Sequence, residues 1–98
     1  QIALAGIVLR QDKHTVTAGG QLVALTLKEY ELLLLLMQHP GVVLTRNVLL
    51  DRIWGYAYEG ETRTVDVHVR SLRQKLGACA NSVETVRGVG YRFIEETT

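Results

Sequence analysis

The sequence predicts an α+β fold in which short antiparallel strands come first, three helices follow, and a β-hairpin closes the chain. Three observations predict it. β-prone runs alternate with turn residues over the first 25 positions, helix-capping residues precede three helical segments, and β-prone runs flank Gly88-Val89-Gly90 near the end. With 98 residues, 47% hydrophobic and 21% charged, the chain suits a domain that buries a core, so we expect residues 1–98 to form one domain.

The first predicted element is an antiparallel sheet over residues 1–25. Runs rich in aliphatic and β-branched residues occupy positions 7–10, 15–17 and 22–25, and charged or glycine-containing turns separate them. Connections this short join antiparallel neighbours, so we expect the runs to pair in sequence as a meander.

The first helix is predicted to begin after Thr26. Thr26 and Glu29 have the spacing of a capping box, in which the hydroxyl and the carboxylate satisfy backbone N–H groups that the first helical turn leaves unpaired. The apolar run that follows reaches His39, and Pro40 stops it. Because this run is shorter than the roughly 20 apolar residues that span a bilayer, we interpret it as a core helix and expect no membrane partner.

Two further helices are predicted within the helical region, residues 26–77. Thr45 is the expected N-cap of the second helix, whose apolar residues recur with the spacing of one helical face: Val48, Leu49, Leu50, Ile53 and Trp54. After a loop, Thr62 is the expected cap of a third helix over residues 63–76. Gly77 suits the left-handed residue that ends such a helix.

The last predicted element is a β-hairpin over residues 83–94, with its turn at Gly88-Val89-Gly90. The same glycines resemble half of a phosphate-binding loop, but the third glycine and the helix that should follow are missing, which favours a turn. Strands, three helices and a terminal hairpin follow the order of a winged helix-turn-helix domain, in which the hairpin is the wing.

The third helix has two different faces. Four residues recur at the spacing of a narrow apolar stripe that is predicted to face the core: Val65, Val69, Leu72 and Leu76. The other positions are mostly basic or polar: Arg63, Val67, Arg70, Ser71 and Gln74 opposite the stripe, Thr64, His68 and Lys75 on one flank, and Asp66 and Arg73 on the other. Arginine suits guanine edges, hydroxyl and amide groups suit other base edges, and valine suits the thymine methyl group, so this face predicts binding in the major groove of DNA.

Asp66 and His68 are interpreted as parts of the same face. Asp66 lies at helical spacing from Arg63, Arg70 and Arg73, so we expect it to pair with these arginines and to orient them. No cysteine, second histidine or carboxylate stands at ligand spacing beside His68, which favours a DNA contact over metal binding or catalysis.

The charge distribution supports this interpretation. The whole chain has a net charge of only +1, but residues 62–76 carry +3, and Arg87 and Arg92 flank the turn of the hairpin. Glu95 and Glu96 close the chain with the opposite sign. Basic helix faces also occur on helices that only meet solvent, so a winged-helix protein-interaction module without specific DNA binding is the alternative.

Other functional classes find no support in the residues. Cys79 is the only cysteine, which excludes an internal disulfide and a cysteine zinc cluster and indicates a reduced, cytoplasmic compartment. The sequence contains no nucleophile–base pair, carboxylate dyad or metal-ligand constellation, so we expect no enzyme activity, cofactor or metal.

Five segments carry a resemblance to a known family: LTLKEYELL at 25–33, LTR at 44–46, LLDRIWG at 49–55, RTVDVHVRSLRQKL at 63–76 and TVRGVGYRF at 85–93. Together they resemble the C-terminal DNA-binding effector domain of the OmpR/PhoB family of bacterial two-component response regulators. The resemblance implies a four-stranded N-terminal sheet, the third helix in the major groove, and the wing, residues 85–92, in the adjacent minor groove.

The resemblance also implies DNA-contact positions: Arg63, Thr64, Val67, His68, Arg70 and Arg73 on the recognition helix, Arg46 and Trp54 at the DNA backbone, and Thr85 and Arg87 on the wing. Ser71, Gln74 and Lys75 complete the predicted interface because they share the polar side of the helix. Ser71 stands where the family often has arginine or lysine, so we expect one phosphate or base contact to be absent and the affinity and sequence preference of the family to be less transferable.

Further expectations concern partners. The resemblance implies a receiver domain before this one, phosphorylated by a sensor kinase, whose dimerisation would place two effector domains on tandem DNA half-sites. The chain starts at Gln1 and its one methionine is Met37, so we expect it to be part of a longer protein. The loop after the second helix is expected to meet RNA polymerase or only solvent, through Tyr56, Tyr58, Glu59 and Glu61. The isolated domain is expected to be a monomer in the bacterial cytoplasm.

Overall fold

This computed structural model describes residues 1–94. These residues form seven β-strands and three α-helices. In chain order they are β1 (Ile2–Leu4), β2 (Ile7–Arg10), β3 (Thr15–Ala18), β4 (Gln21–Val23), α1 (Leu27–Gln38), β5 (Leu44–Thr45), α2 (Arg46–Ile53), α3 (Arg63–Leu76), a short 3-10 helix (Gly77–Ser82), β6 (Val83–Val86) and β7 (Gly90–Phe93). This order confirms the predicted α+β architecture. Glu95 and Glu96, expected to close the chain, lie outside the described residues, as does the end of the predicted 1–98 domain.

The N-terminal sheet has the strand order β1-β2-β3-β4, and every neighbouring pair is antiparallel. The predicted meander is therefore present, with the four strands that the resemblance implied. Successive residues of a strand point to opposite faces, so Ile7 and Leu9 of β2 and Val16 of β3 are buried on the same side. These side chains belong to the same hydrophobic core as the helices.

The start of α1 confirms the predicted capping box. Thr26 Oγ1 accepts the Glu29 N–H at 3.3 Å, and the Glu29 carboxylate accepts the Thr26 N–H at 2.8 Å. The helix ends at Gln38, one residue before the predicted end, because His39 leaves the helical conformation with φ −131° and ψ 59°.

The apolar stripe of α3 is confirmed because its four residues are all buried: Val65, Val69, Leu72 and Leu76. They belong to one core cluster with Leu36 of α1, Leu49 of α2 and Phe93 of β7. One side of α3 is thus anchored against the other elements, which leaves the opposite side for contacts with a partner.

Two details of the helix predictions are wrong. Val48 does not share the buried face of α2, because only Leu49 and Ile53 are buried there and Val48 is 40% exposed. Thr62 does not cap α3 with its side chain, because it already has helical angles (φ −62°, ψ −16°) and makes no capping hydrogen bond. The Thr45 cap is confirmed, since its hydroxyl accepts the Val48 N–H at 3.2 Å.

A second sheet, of order β5-β7-β6, contains the predicted hairpin and an additional strand. The two-residue strand β5, which was not predicted, pairs with β7 through Leu44 opposite Tyr91 and Thr45 opposite Gly90. A Cβ atom on Gly90 would lie 2.1 Å from the Leu44 carbonyl oxygen, so this close approach requires glycine. Since α2 begins directly after β5, the pairing ties the wing to the start of α2.

Candidate nucleic-acid interface

The side of α3 opposite its apolar stripe is exposed at four of the five predicted positions. Arg63, Val67, Arg70 and Gln74 are exposed, and Val67 keeps 58% of its surface accessible between the two arginines. Within residues 1–94, Arg63 and Arg70 form no hydrogen bond or ion pair, although Arg63 is close enough to Asp66 to help lower the pKa of that carboxyl. Both guanidinium groups are thus available to a partner.

Two predicted members of the face, Ser71 and Lys75, point their polar atoms at Glu29 of α1 instead. The Ser71 hydroxyl donates to Glu29 Oε2 at 2.6 Å, and the Lys75 ammonium lies 2.7 Å from Glu29 Oε1. The prediction that the Ser71 hydroxyl and the Lys75 ammonium face DNA is therefore wrong, because both groups bond Glu29. The physical reason is that α1 packs against this flank of α3, where a buried carboxylate needs donors.

Glu29 also joins α1 to α3, a role that was not predicted from the sequence. The residue is only 3% exposed. Burial alone would raise the pKa of Glu29, but hydrogen bonds from Lys75, Ser71 and the Thr26 N–H more than offset that effect and lower it from 4.5 to about 2. The residue was recognisable only as part of the capping box, because Ser71 and Lys75 follow it by 42 and 46 positions.

Asp66 does not pair with Arg70 or Arg73, so that prediction is wrong. Its Oδ1 accepts a hydrogen bond from Arg46 Nε at 2.8 Å and another from the Tyr91 hydroxyl. Partial burial raises the pKa of Asp66, but these two hydrogen bonds and the charge of Arg46 outweigh it and leave the pKa below its ordinary value. Asp66 therefore connects α3 with α2 and β7.

Arg73 is held by the wing. Its Nε donates to the Val83 carbonyl oxygen at 2.9 Å, and its Nη2 donates to Thr85 Oγ1 at 2.8 Å. The structure thus brings two predicted DNA-contact residues, Arg73 and Thr85, into contact with each other. Their hydrogen bonds connect α3 with β6, which sequence spacing along one helix does not reveal.

Thr64, His68 and Trp54 form a cluster at the N-terminal half of α3. His68 Nδ1 lies 2.7 Å from the Thr64 carbonyl oxygen, and its ring meets Trp54 edge-on with centroids 4.9 Å apart. A carbonyl oxygen only accepts hydrogen bonds, so Nδ1 carries the hydrogen and Nε2 is an acceptor while the ring is neutral. Lys28 Nζ stands 5.7 Å from the centroid of the Trp54 ring, which adds a positive charge beside this cluster.

The tip of the wing presents Arg87 to solvent. The Val89 N–H donates to the Val86 carbonyl oxygen at 2.9 Å, and Gly88 has φ +76°, so the predicted turn is present. Arg92, the other basic residue beside the turn, is paired with Glu84 at 2.9 Å. In the described part of the wing, Arg87 is thus the cation without a hydrogen-bond or ion-pair partner.

The loop between α2 and α3 exposes the residues expected to meet RNA polymerase: Tyr56, Tyr58, Glu59 and Glu61. Tyr56 is 93% exposed, whereas Tyr58 is partly covered by Trp54, with ring centroids 6.2 Å apart. The loop is therefore accessible next to the cluster of Trp54 and His68.

Metal-binding clusters and membrane-spanning helices are absent from residues 1–94. No group of three or more histidine, cysteine or acidic residues is arranged to hold a metal ion there. Cys79 is a half-buried free cysteine. None of the helices described over this range is long and apolar enough to cross a membrane.

Three helices, a wing tied to the third helix, and an exposed face with unpaired arginines define the winged helix-turn-helix class. The sequence profile of the family described as "Transcriptional regulatory protein, C terminal" matches residues 20–93. The chain belongs to this family, which confirms the resemblance and the fold class predicted from the sequence.

The sequence is similar to named regulators. It is 43% identical over 94 residues to the heme response regulator HssR of Staphylococcus epidermidis, a match that covers 94% of this chain and 42% of that protein. It is 51% identical over 90 residues to the sensory transduction protein RegX3 of Mycobacterium leprae, covering 87% of this chain and 46% of that one. The chain thus spans less than half the length of these relatives.

Two similar solved structures contain DNA. The response regulator AdeR DNA-binding domain, in complex with an intercistronic region, is 33% identical with a TM-score of 0.85, and the match covers 98% of this chain and 100% of that one. The Klebsiella pneumoniae RstA DNA-binding domain, in complex with the RstA box, is 32% identical with a TM-score of 0.84, covering 95% of each chain.

Proposed function

We propose that this chain is the sequence-specific, double-stranded-DNA-binding output domain of a bacterial two-component response regulator, with α3 in the major groove and the wing at the minor groove. The observation that carries the proposal is the exposed face of α3, where Arg63 and Arg70 are unpaired within the described residues and flank the exposed Val67. Family membership and the DNA complexes of AdeR and RstA support it.

The predicted contact residues divide into two groups. Residues that keep an unbonded polar atom or apolar surface are assigned to DNA: Arg63, Thr64, Val67, His68, Arg70 and Gln74 to base edges, Arg46 and Trp54 to phosphates, and Arg87 to the minor groove. Arg46 and His68 belong here although each also uses one nitrogen for a hydrogen bond within the domain. Residues whose polar atoms already bond within the domain are assigned to positioning: Ser71, Arg73, Lys75 and Thr85. An arginine that already donates to two protein acceptors has fewer donors for a base.

The partners of the whole protein are part of the same proposal. The matches cover less than half of each relative, which leaves room there for a receiver domain that a sensor kinase phosphorylates. Two output domains would then occupy tandem half-sites about one helical turn apart. We further propose that the loop with Tyr56, Tyr58, Glu59 and Glu61 contacts RNA polymerase, that the isolated domain is monomeric, and that it acts in the bacterial cytoplasm without catalysis.

A salt titration tests DNA binding against the alternative of a protein-docking module. Binding sites are first selected from random duplexes, and the affinity for the selected duplex is then measured by fluorescence anisotropy at increasing salt. The proposal predicts that affinity falls steeply with salt, because each neutralised phosphate releases counterions. Undetectable or salt-independent binding to every duplex would contradict it and favour protein docking.

A further inference from the structure

Tyr91 of β7 connects the recognition helix, the start of α2 and the wing. Its hydroxyl donates to Asp66 Oδ1, the same oxygen that accepts Arg46 Nε. Its ring lies under two cations, because the guanidinium carbons of Arg46 and Arg73 are each 5.5 Å from the ring centroid. The residue is 5% exposed, so the ring is a buried part of the domain rather than a DNA contact.

The same contacts determine how two arginines are oriented. Arg46 uses Nε for Asp66, and its guanidinium also lies close enough to the Tyr91 hydroxyl to lower the pKa of that group, so part of the Arg46 donor set faces the protein. Arg73 uses Nε and Nη2 for Val83 and Thr85, the strand that pairs with β7. Both arginines are therefore held close to the Tyr91 ring, and these contacts add to the core packing and the β5–β7 pairing that already attach the wing to the domain.

We propose that Tyr91 is a positioning residue for DNA binding: through its hydroxyl on Asp66 it fixes the wing relative to α3 and holds the Arg46 guanidinium in place, so that the remaining donors of Arg46 can meet a DNA phosphate. The proposal rests on the proposed DNA-binding function. It predicts that contacts made by the wing tip depend on the Tyr91 hydroxyl, whereas contacts made by the middle of α3 depend on it much less.

The substitution Tyr91→Phe tests this because it removes one oxygen atom and keeps the ring in place. Asp66 then loses the hydrogen bond from the Tyr91 hydroxyl, so β7 of the wing is no longer bonded to the carboxylate that holds Arg46. We expect the salt dependence of DNA binding to fall by about one counterion, since Arg46 no longer holds one phosphate in place. Tyr30→Phe is the matched control, because Tyr30 is also buried but lies on α1 against His14.

The decisive readout is a double-mutant cycle on the selected duplex. In the chain with Tyr91, Arg87→Ala should weaken binding, and in the Tyr91→Phe background this loss should shrink by at least about threefold, a size typical of connected residues. The loss caused by Arg70→Ala should be the same in both backgrounds. A residue that only stabilised the fold would lower the melting temperature without changing these ratios.

Equal effects of Arg87→Ala in the two backgrounds, together with an unchanged salt dependence, would overturn the proposal. If Tyr91→Phe melts too low for binding to be measured, Asp66→Ala removes the acceptor of the same hydrogen bond and gives a second test, and equal effects of Arg87→Ala there would overturn the proposal as well. The failure of the proposed function gives a different result, because the unsubstituted chain would then show no salt-dependent binding to any duplex.

Discussion

Replacing Glu29 by glutamine removes a buried charge that joins α1 to the recognition helix. The carboxylate accepts hydrogen bonds from Lys75, Ser71 and the Thr26 N–H, and these donors hold the pKa of Glu29 at about 2, against 4.5 for an ordinary glutamate. Each unit of such a difference corresponds to about 1.4 kcal/mol of stability while the group is ionised, so the arrangement contributes about 3 kcal/mol near neutral pH. Lys75 is 37% exposed, and solvent screening reduces its share of this value.

The same contribution depends on pH in a defined direction. The pKa of Glu29 is lower in the folded chain than in the unfolded chain, so its stabilisation is complete above about pH 5 and is lost as the pH falls toward 2. Glutamine cannot ionise, and its amide presents hydrogens to the Lys75 ammonium. We therefore expect Glu29→Gln to lower the free energy of unfolding by about 2–4 kcal/mol at pH 7 and by much less at pH 3.

Urea unfolding followed by circular dichroism at pH 7, 5 and 3 measures this difference. Glu31→Gln is the matched control on the same helix, and it should change the free energy of unfolding by no more than about 0.5 kcal/mol, as is usual away from buried contacts. A Glu29→Gln effect of the same size at pH 7 and pH 3, or no effect at pH 7, would refute the reasoning.

Three further changes test other parts of the structure. Leu72→Ala leaves a cavity at a fully buried position of α3 and should cost about 2–5 kcal/mol in urea unfolding without altering base preference; a change below about 1 kcal/mol would contradict the packing. Gly90→Ala places a Cβ 2.1 Å from the Leu44 carbonyl oxygen and should lower the melting temperature by separating β5 from β7; an unchanged melting temperature would show that this approach is not required. Arg87→Ala should reduce the salt dependence of DNA binding by about one counterion and leave the selected sequence nearly unchanged, whereas an altered sequence preference would assign Arg87 to base reading.

The helices and the core of α3 were predictable because the signals are local. A capping box at Thr26 and an apolar stripe of period 3.6 can be recognised within one helix. Contacts between elements were not predictable in this way. Asp66 has helical neighbours of the right charge, but its partners are Arg46 and Tyr91, which come from other elements 20 and 25 positions away.

The candidate site was predicted in outline for the same reason. Helical geometry places Arg63, Val67 and Arg70 on the side opposite the core, and the structure agrees. Geometry of one helix does not reveal what packs beside it, so Ser71 and Lys75 were assigned to DNA although Glu29 binds both. The strand β5 could not be predicted because two residues are too few to show a periodic pattern. Its pairing with β7, more than 40 positions later in the chain, is seen only in the structure.

In the proposed function, the exposed face of α3 reads DNA bases. The most direct test selects binding sites from random duplexes with the unsubstituted chain and with Arg70→Ala, using Arg52→Ala as the control because Arg52 lies on α2 in the groove beside Leu34 and Leu35 of α1. Arg70→Ala is expected to cost about 1–3 kcal/mol of binding and to relax the preference at one base position, while Arg52→Ala should leave the selected site unchanged. Equal weakening on every sequence, or an unaltered site with Arg70→Ala, would contradict it.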